Sequence, residues 1–203
     1  MSAADSGQES ENPFSTSRVR PGALGFHLRP GETVEKLVER LRQCHWRGKI
    51  VGPHGSGKST LLAALRPALE QSGRKLILVS CQGGQRPAPA AFYRRVERAG
   101  ATALVVIDGY EQLGRWDGLR LNWFCHRRQA GLLVTTHAWV GLPTLYVTKP
   151  DFPLACRLVA QLLGPQQALI AGEEIRQAFH NHAGDLREMF MELYDLYEQR
   201  RVG

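Results

Sequence analysis

Apolar residues along the chain follow two rhythms. Short runs with little polar alternation occur at 49–52, 76–81, 103–107, 132–135 and 145–147. Such runs predict strands buried on both faces, as in a parallel sheet. Between them the spacing turns helical. Val34, Leu37, Val38 and Leu41 share one face and predict a helix over 33–46, with Thr33 as its N-cap. Further helices are expected over 57–71, 90–98 and 116–128, with a kink at Pro67 and a stop at Gly73. The alternation predicts an α/β fold, a parallel five-stranded sheet with helices on both faces. After Pro150 the strand signals stop, and helices are expected over 154–163, 172–180 and 185–200. The last carries Leu186, Met189, Phe190, Leu193 and Tyr197 on one face. The expected organisation is a disordered polar tail over 1–12, an α/β core over 13–150 and a small helical lid or appendage over 151–203. Segment 13–31, rich in Pro and Gly, reads as a lead-in or as a cover for a bound base. Segment 82–89 reads as a loop.

A length of 203 residues and an apolar fraction of 43% suit one folded domain with an appendage. The formal charge of +7 comes mostly from arginine. One reading is a nucleic-acid partner; the other is arginines dispersed over a solvated surface, since they form no long tract. Cys44, Cys81, Cys125 and Cys156 form no Cys-x-x-Cys pair, so neither zinc nor a disulfide framework is expected. Reduced thiols, a polar N-terminus and the lack of a long apolar run lead to the expectation of a cytoplasmic chain with no membrane span.

The candidate chemistry begins at Gly52-Pro53-His54-Gly55-Ser56-Gly57-Lys58-Ser59, which fits G-x-x-x-x-G-K-[ST] at every fixed position. Glycines let the backbone curl so that N–H groups converge on phosphate oxygens. A helix that opens here adds its positive end. Lys58 is the mobile cation for the β- and γ-phosphates, and the Ser59 hydroxyl is a hard oxygen ligand for Mg²⁺. Thr60 is counted with the same nucleotide-binding set. An apolar strand before the motif and the helix Leu61-Leu62-Ala63-Ala64-Leu65 after it supply the expected context. Asp108, at the end of an apolar run, is the second candidate Mg²⁺ ligand.

These residues resemble the P-loop nucleoside triphosphatases. Asp108-Gly109-Tyr110-Glu111 resembles the STAND class, and its NACHT branch in particular. There a small residue follows the metal Asp and acids come a few positions later. The resemblance implies that Glu111 polarises the attacking water, with Lys58 as the other catalytic group. Thr135-Thr136-His137 is similar to a strand that ends Thr-Thr-Arg in plant-type STAND proteins, which makes Thr136 or His137 a candidate γ-phosphate sensor. In ASCE-type members the phosphate-loop strand neighbours an inserted strand, and that strand end faces the γ-phosphate. Gly184-Asp185-Leu186-Arg187 resembles the sensor-2 segment of AAA+ ATPases, which implies that Arg187 is a nucleotide-binding cation of a helical lid. The departures are Gly109 where many ATPases have Glu, His137 in place of Arg, and no Arg between 137 and 145. Gly83-Gly84-Gln85-Arg86 resembles the ABC signature but follows Lys58 too closely, and reads as a loop.

The leading expectation is Mg²⁺-dependent binding and hydrolysis of ATP, as an ATPase or nucleotide-dependent switch. ATP is assumed because no guanine-specifying Asn/Thr-Lys-x-Asp motif occurs. A protein partner, a homo-oligomer and a nucleic-acid partner all stay open. A small-molecule kinase is an alternative, although Ser80-Cys81-Gln82 brings no acid to the end of the second strand. A nucleic-acid-associated adaptor that hydrolyses little ATP is another.

Overall fold

The computed structural model describes residues 12–81, 89–138 and 140–202. The chain divides into two compact units. One is Gly25–Lys149; the other joins the N-terminal segment as far as Leu24 to the chain from Pro150 onward.

The larger unit is an α/β sheet. Its strands are β1 (Arg47–Val51), β2 (Lys75–Ser80), β3 (Ala103–Asp108), β4 (Gly131–Thr136) and β5 (Thr144–Val147). They lie in the order β2-β3-β4-β1-β5, and every pairing is parallel. The unit's helices are α2 (Val34–Gln43), α3 (Lys58–Gln71), α4 (Pro89–Ala99) and α5 (Arg115–Arg127); α1 (Thr16–Val19) belongs to the other unit. Side chains that alternate along β3 explain why the runs are continuously apolar. Ala103, Val105 and Ile107 join Phe92 and Val96 of α4 and Leu121 and Cys125 of α5 in one core. Leu104 and Val106 join Leu37 and Leu41 of α2 and Leu61, Leu65 and Leu69 of α3 in another. Both faces are thus covered by helices, as period-two alternation in a buried sheet requires.

Helix α2 is capped as expected, the Thr33 hydroxyl accepting from the Lys36 N–H at 3.2 Å. It ends at Gln43 rather than near Trp46. His45 and Trp46 take left-handed backbone angles (φ 53° and 61°), and the Trp46 N–H returns to the Leu41 carbonyl at 2.8 Å. The turn buries the indole in the α2/α3 core and starts β1 at Arg47. Helix α3 continues through Pro67 to Gln71, and Gly73 follows with φ 79°. Of the loop expected over 82–89, residues 82–88 lie outside the described residues; Pro89 opens α4, where its missing N–H costs nothing.

Cys125 is fully buried, and burial pushes its thiol up to about 11. It should therefore resist iodoacetamide at neutral pH until the chain unfolds, while the half-buried Cys44 and Cys156 label in the native state. Mass mapping of modified peptides measures this order. Native labelling of Cys125 as fast as Cys44 would contradict it.

The second unit is helical. It holds α6 (Phe152–Leu163), α7 (Gly172–Asn181) and α8 (Leu186–Val202). The Asp151 carboxylate caps α6, accepting from the Leu154 N–H at 2.8 Å. Val159, Ala178, Met189, Leu193 and Tyr197 form its core. Residues 13–24, expected from the sequence to belong to the α/β core, contribute Phe14 to this unit; its ring stacks on Phe190 at 6.2 Å. The tail expected over 1–12 lies outside the described residues except for Asn12. That side chain is buried, and its amide donates to the Tyr194 carbonyl at 3.1 Å. No described helix is long and apolar enough to cross a membrane.

Candidate functional site

Strand β1 is apolar at Ile50 and Val51 and ends there; at Gly52 the chain enters the loop that opens α3. Gly55 and Gly57 turn the loop with φ 61° and 87°. Both angles are left-handed, which glycine adopts without strain. Gly57 is the N-cap of α3, so Lys58, Ser59 and Thr60 form its first turn.

The loop is pinned from both sides of β1. On the β4 side, the Gly52 N–H donates to the Thr136 carbonyl at 3.3 Å. On the β5 side, Thr148 donates its N–H to the Val51 carbonyl at 2.8 Å, and its hydroxyl lies 2.6 Å from that of Ser56. Ser56 also donates to the Pro53 carbonyl at 2.8 Å, which closes the loop on itself. Both hydroxyl-bearing residues are buried. Gly52 is required by contact: a Cβ there would stand 2.0 Å from the Thr148 hydroxyl and 2.5 Å from its carbonyl oxygen. The Lys58 ammonium crosses the loop and donates to the carbonyls of Gly52 at 2.8 Å and Pro53 at 2.6 Å. Phe26, from the segment ahead of α2, reaches 3.4 Å from where a Gly57 Cβ would be and packs edge-on to Tyr146.

Asp108 ends β3, and β4 lies between β3 and β1. Thr135 of β4 donates its hydroxyl to Asp108 Oδ1 at 2.6 Å. The same hydroxyl accepts from the Gly109 N–H at 2.8 Å. One buried threonine therefore fixes the carboxylate and the left-handed turn at Gly109 (φ 85°) together. Thr136, the other threonine of the pair, turns its hydroxyl into the next bend, where it accepts from the Ala138 N–H at 3.0 Å.

After Gly109 a short 3-10 turn, Tyr110–Gln112, brings Glu111 back toward the strand ends. The Glu111 side chain is 13% exposed, and its Oε1 lies 3.1 Å from His137 Nδ1. Its Oε2 is buried and has no hydrogen-bond partner among the described residues. The His137 ring in turn lies 4.7 Å, centroid to centroid, from His54 of the glycine-rich loop. Cys81, at the end of β2, senses the same acids. Burial first, then the charges of Asp108 and Glu111, push its thiol up.

The chain matches no family model and no curated protein.

The structure thus brings Lys58, His54, His137 and Glu111 to the C-terminal edge of the sheet, with Asp108 held beside them by Thr135. In open parallel sheets this edge is where ligands bind. Arg187 belongs to the helical unit. It is exposed on the first turn of α8, where its N–H donates to the capping Asp185 carboxylate at 2.9 Å. Sequence reasoning missed Thr135 as the Asp108 clamp and Thr148 as the loop anchor. The only sequence signal for either is a Thr at the end of an apolar run, which marks a strand end and not a partner.

Proposed function

We propose that this edge of the sheet binds ATP with Mg²⁺ and hydrolyses it, so that the protein works as a nucleotide-dependent switch. The observation that carries the reading is the convergence of a Lys-bearing glycine loop, a clamped Asp and a half-buried Glu at one sheet edge. The insertion of β4 between β1 and β3 supports the resemblance to ASCE-type ATPases.

The donor chemistry fits the metal. Ser59 and Asp108 offer hard oxygens, and no group of three His, Cys, Asp or Glu side chains forms a cage among the described residues. Mg²⁺ suits such a sparse set, because it keeps several waters and takes substrate phosphates as ligands. When bound it neutralises charge on the phosphate oxygens. Lys58 is already aimed across the loop and exchanges backbone carbonyls for phosphate oxygens. Thr135 keeps Asp108 oriented. Glu111 is held through Oε1 by His137, which leaves Oε2 to accept a proton from water. A buried acceptor without a partner is costly, and it is kept where it has a role in binding or chemistry.

Glu111→Gln tests the hydrolytic step. Release of ADP should fall by about a hundredfold or more, as for loss of a general base, while ATP affinity stays within about twofold. A rate equal to wild type would remove Glu111 from the mechanism.

A further inference from the structure

A second surface, on the α4/α5 side of the sheet, has a chemistry that nucleotide binding does not use. Gly118, Leu121 and Cys125 turn one face of α5 into the core. The opposite face presents Trp116, 84% exposed, and Trp123, 60% exposed, with Leu119 between them at 61%. Two indoles seven residues apart lie on one side of a helix, about 10 Å apart along its axis. Arg120 and Arg127 flank them. The Arg127 guanidinium lies 5.6 Å from the Trp123 ring, and Arg120 lies 5.7 Å from the ring of Tyr93 on α4. Tyr93 packs on Phe124 at 4.6 Å, so α4 and α5 form one continuous surface.

The charge is concentrated here. α4, α5 and the residue that caps α5 hold seven arginines against two acids, Glu97 and Asp117. Glu97 pairs with Arg128 at 2.6 Å. The surface thus has a net of five positive charges, where the whole chain has +7. Arginine is dispersed along the sequence but collected by the fold.

We infer that this α4/α5 surface binds single-stranded nucleic acid, with Trp116 and Trp123 stacking on bases and the flanking arginines neutralising phosphates. Exposed indoles beside cations are what an unpaired strand requires, because every base offers a π-face and every nucleotide a charge. A duplex keeps its base faces stacked and would leave the indoles without partners. A second copy of the same surface would set arginines against arginines. The apolar stripe is a single row of three side chains flanked by arginine, too narrow to bury α5 in a bilayer.

The test is fluorescence anisotropy with a labelled oligothymidylate of about 30 nucleotides, in about 50 mM salt. The full chain should bind it more tightly than a duplex of equal length. Trp116→Ala/Trp123→Ala should weaken binding by at least about tenfold. Both side chains are exposed, so the melting temperature should hold, and Trp116→Ala alone provides a milder variant. Arg120→Ala/Arg127→Ala should lower the slope of log K against log salt by about 1.4. Lys58→Ala should keep oligonucleotide binding, which separates this inference from the nucleotide site. Several results would overturn it: no binding by wild type, binding by the double Trp variant within twofold of wild type, tighter binding of duplex, or capture by phosphatidylserine vesicles in preference to the oligonucleotide.

Discussion

Replacing Lys58 by alanine is expected to lower the affinity for ATP by about a hundredfold or more. The ammonium lies within hydrogen-bond distance of the Gly52 and Pro53 carbonyls, 2.8 and 2.6 Å away, at the mouth of the glycine loop. It is the loop's own cation, and no other residue of the loop can replace its charge. Ser56, Thr148 and Thr136 hold the loop independently of it. The substitution should therefore leave the fold intact, with the melting temperature within about 2 °C of wild type. Lys58→Arg keeps the charge but not the compact ammonium, and should fall between the two. Titration of a fluorescent ATP analogue measures the series. An affinity for Lys58→Ala within twofold of wild type would mean that the loop does not hold phosphate.

Gly52→Ala is expected to have the largest effect on stability. Its Cβ would meet the Thr148 hydroxyl at 2.0 Å, the Thr148 carbonyl at 2.5 Å and the Ser56 hydroxyl at 2.7 Å. Hydroxyls can rotate, but the carbonyl is backbone, so either the loop or the chain after β5 must move. Both are tied to β1 by the hydrogen bonds that shape the site. A loss of about 3 kcal/mol is expected, which lowers the melting temperature by about 10 °C in a chain of this length. Gly141→Ala is the comparison, because its Cβ would meet nothing within 4 Å and its backbone is not left-handed. That variant should stay within about 0.5 kcal/mol of wild type. Thermal unfolding followed by circular dichroism decides the matter, and equal melting for both glycine variants would contradict the packing described at Gly52.

The five strands were legible because a sheet covered on both faces needs unbroken apolar runs, and those runs stand out in the sequence. The start of β1 was not. The expected run began at Lys49 and left out Arg47 and Gly48; Lys49 itself is 6% exposed, its stem packed and its ammonium donating to the Val140 carbonyl at 2.7 Å. The left-handed turn at His45 and Trp46 has no glycine or asparagine to announce it. The glycine loop was legible as a bend between β1 and α3, because its residues are consecutive, although its Thr148 anchor was not. The rest of the site was legible only as separate candidates. Glu111 and His137 are far apart in sequence, and only the adjacency of β3 and β4 brings them to 3.1 Å. Periodicity reports which face a residue takes and says nothing of which strand lies next to it. The same limit hid the basic surface, since its arginines come from two helices separated by β3.

Calorimetric titration of the full chain with ATP, in Mg²⁺ and again after chelation by EDTA, probes the nucleotide site itself. One ATP site per chain is expected, with affinity that falls about tenfold or more when Mg²⁺ is removed. No binding at millimolar ATP, or binding that is indifferent to both Mg²⁺ and Lys58→Ala, would contradict it.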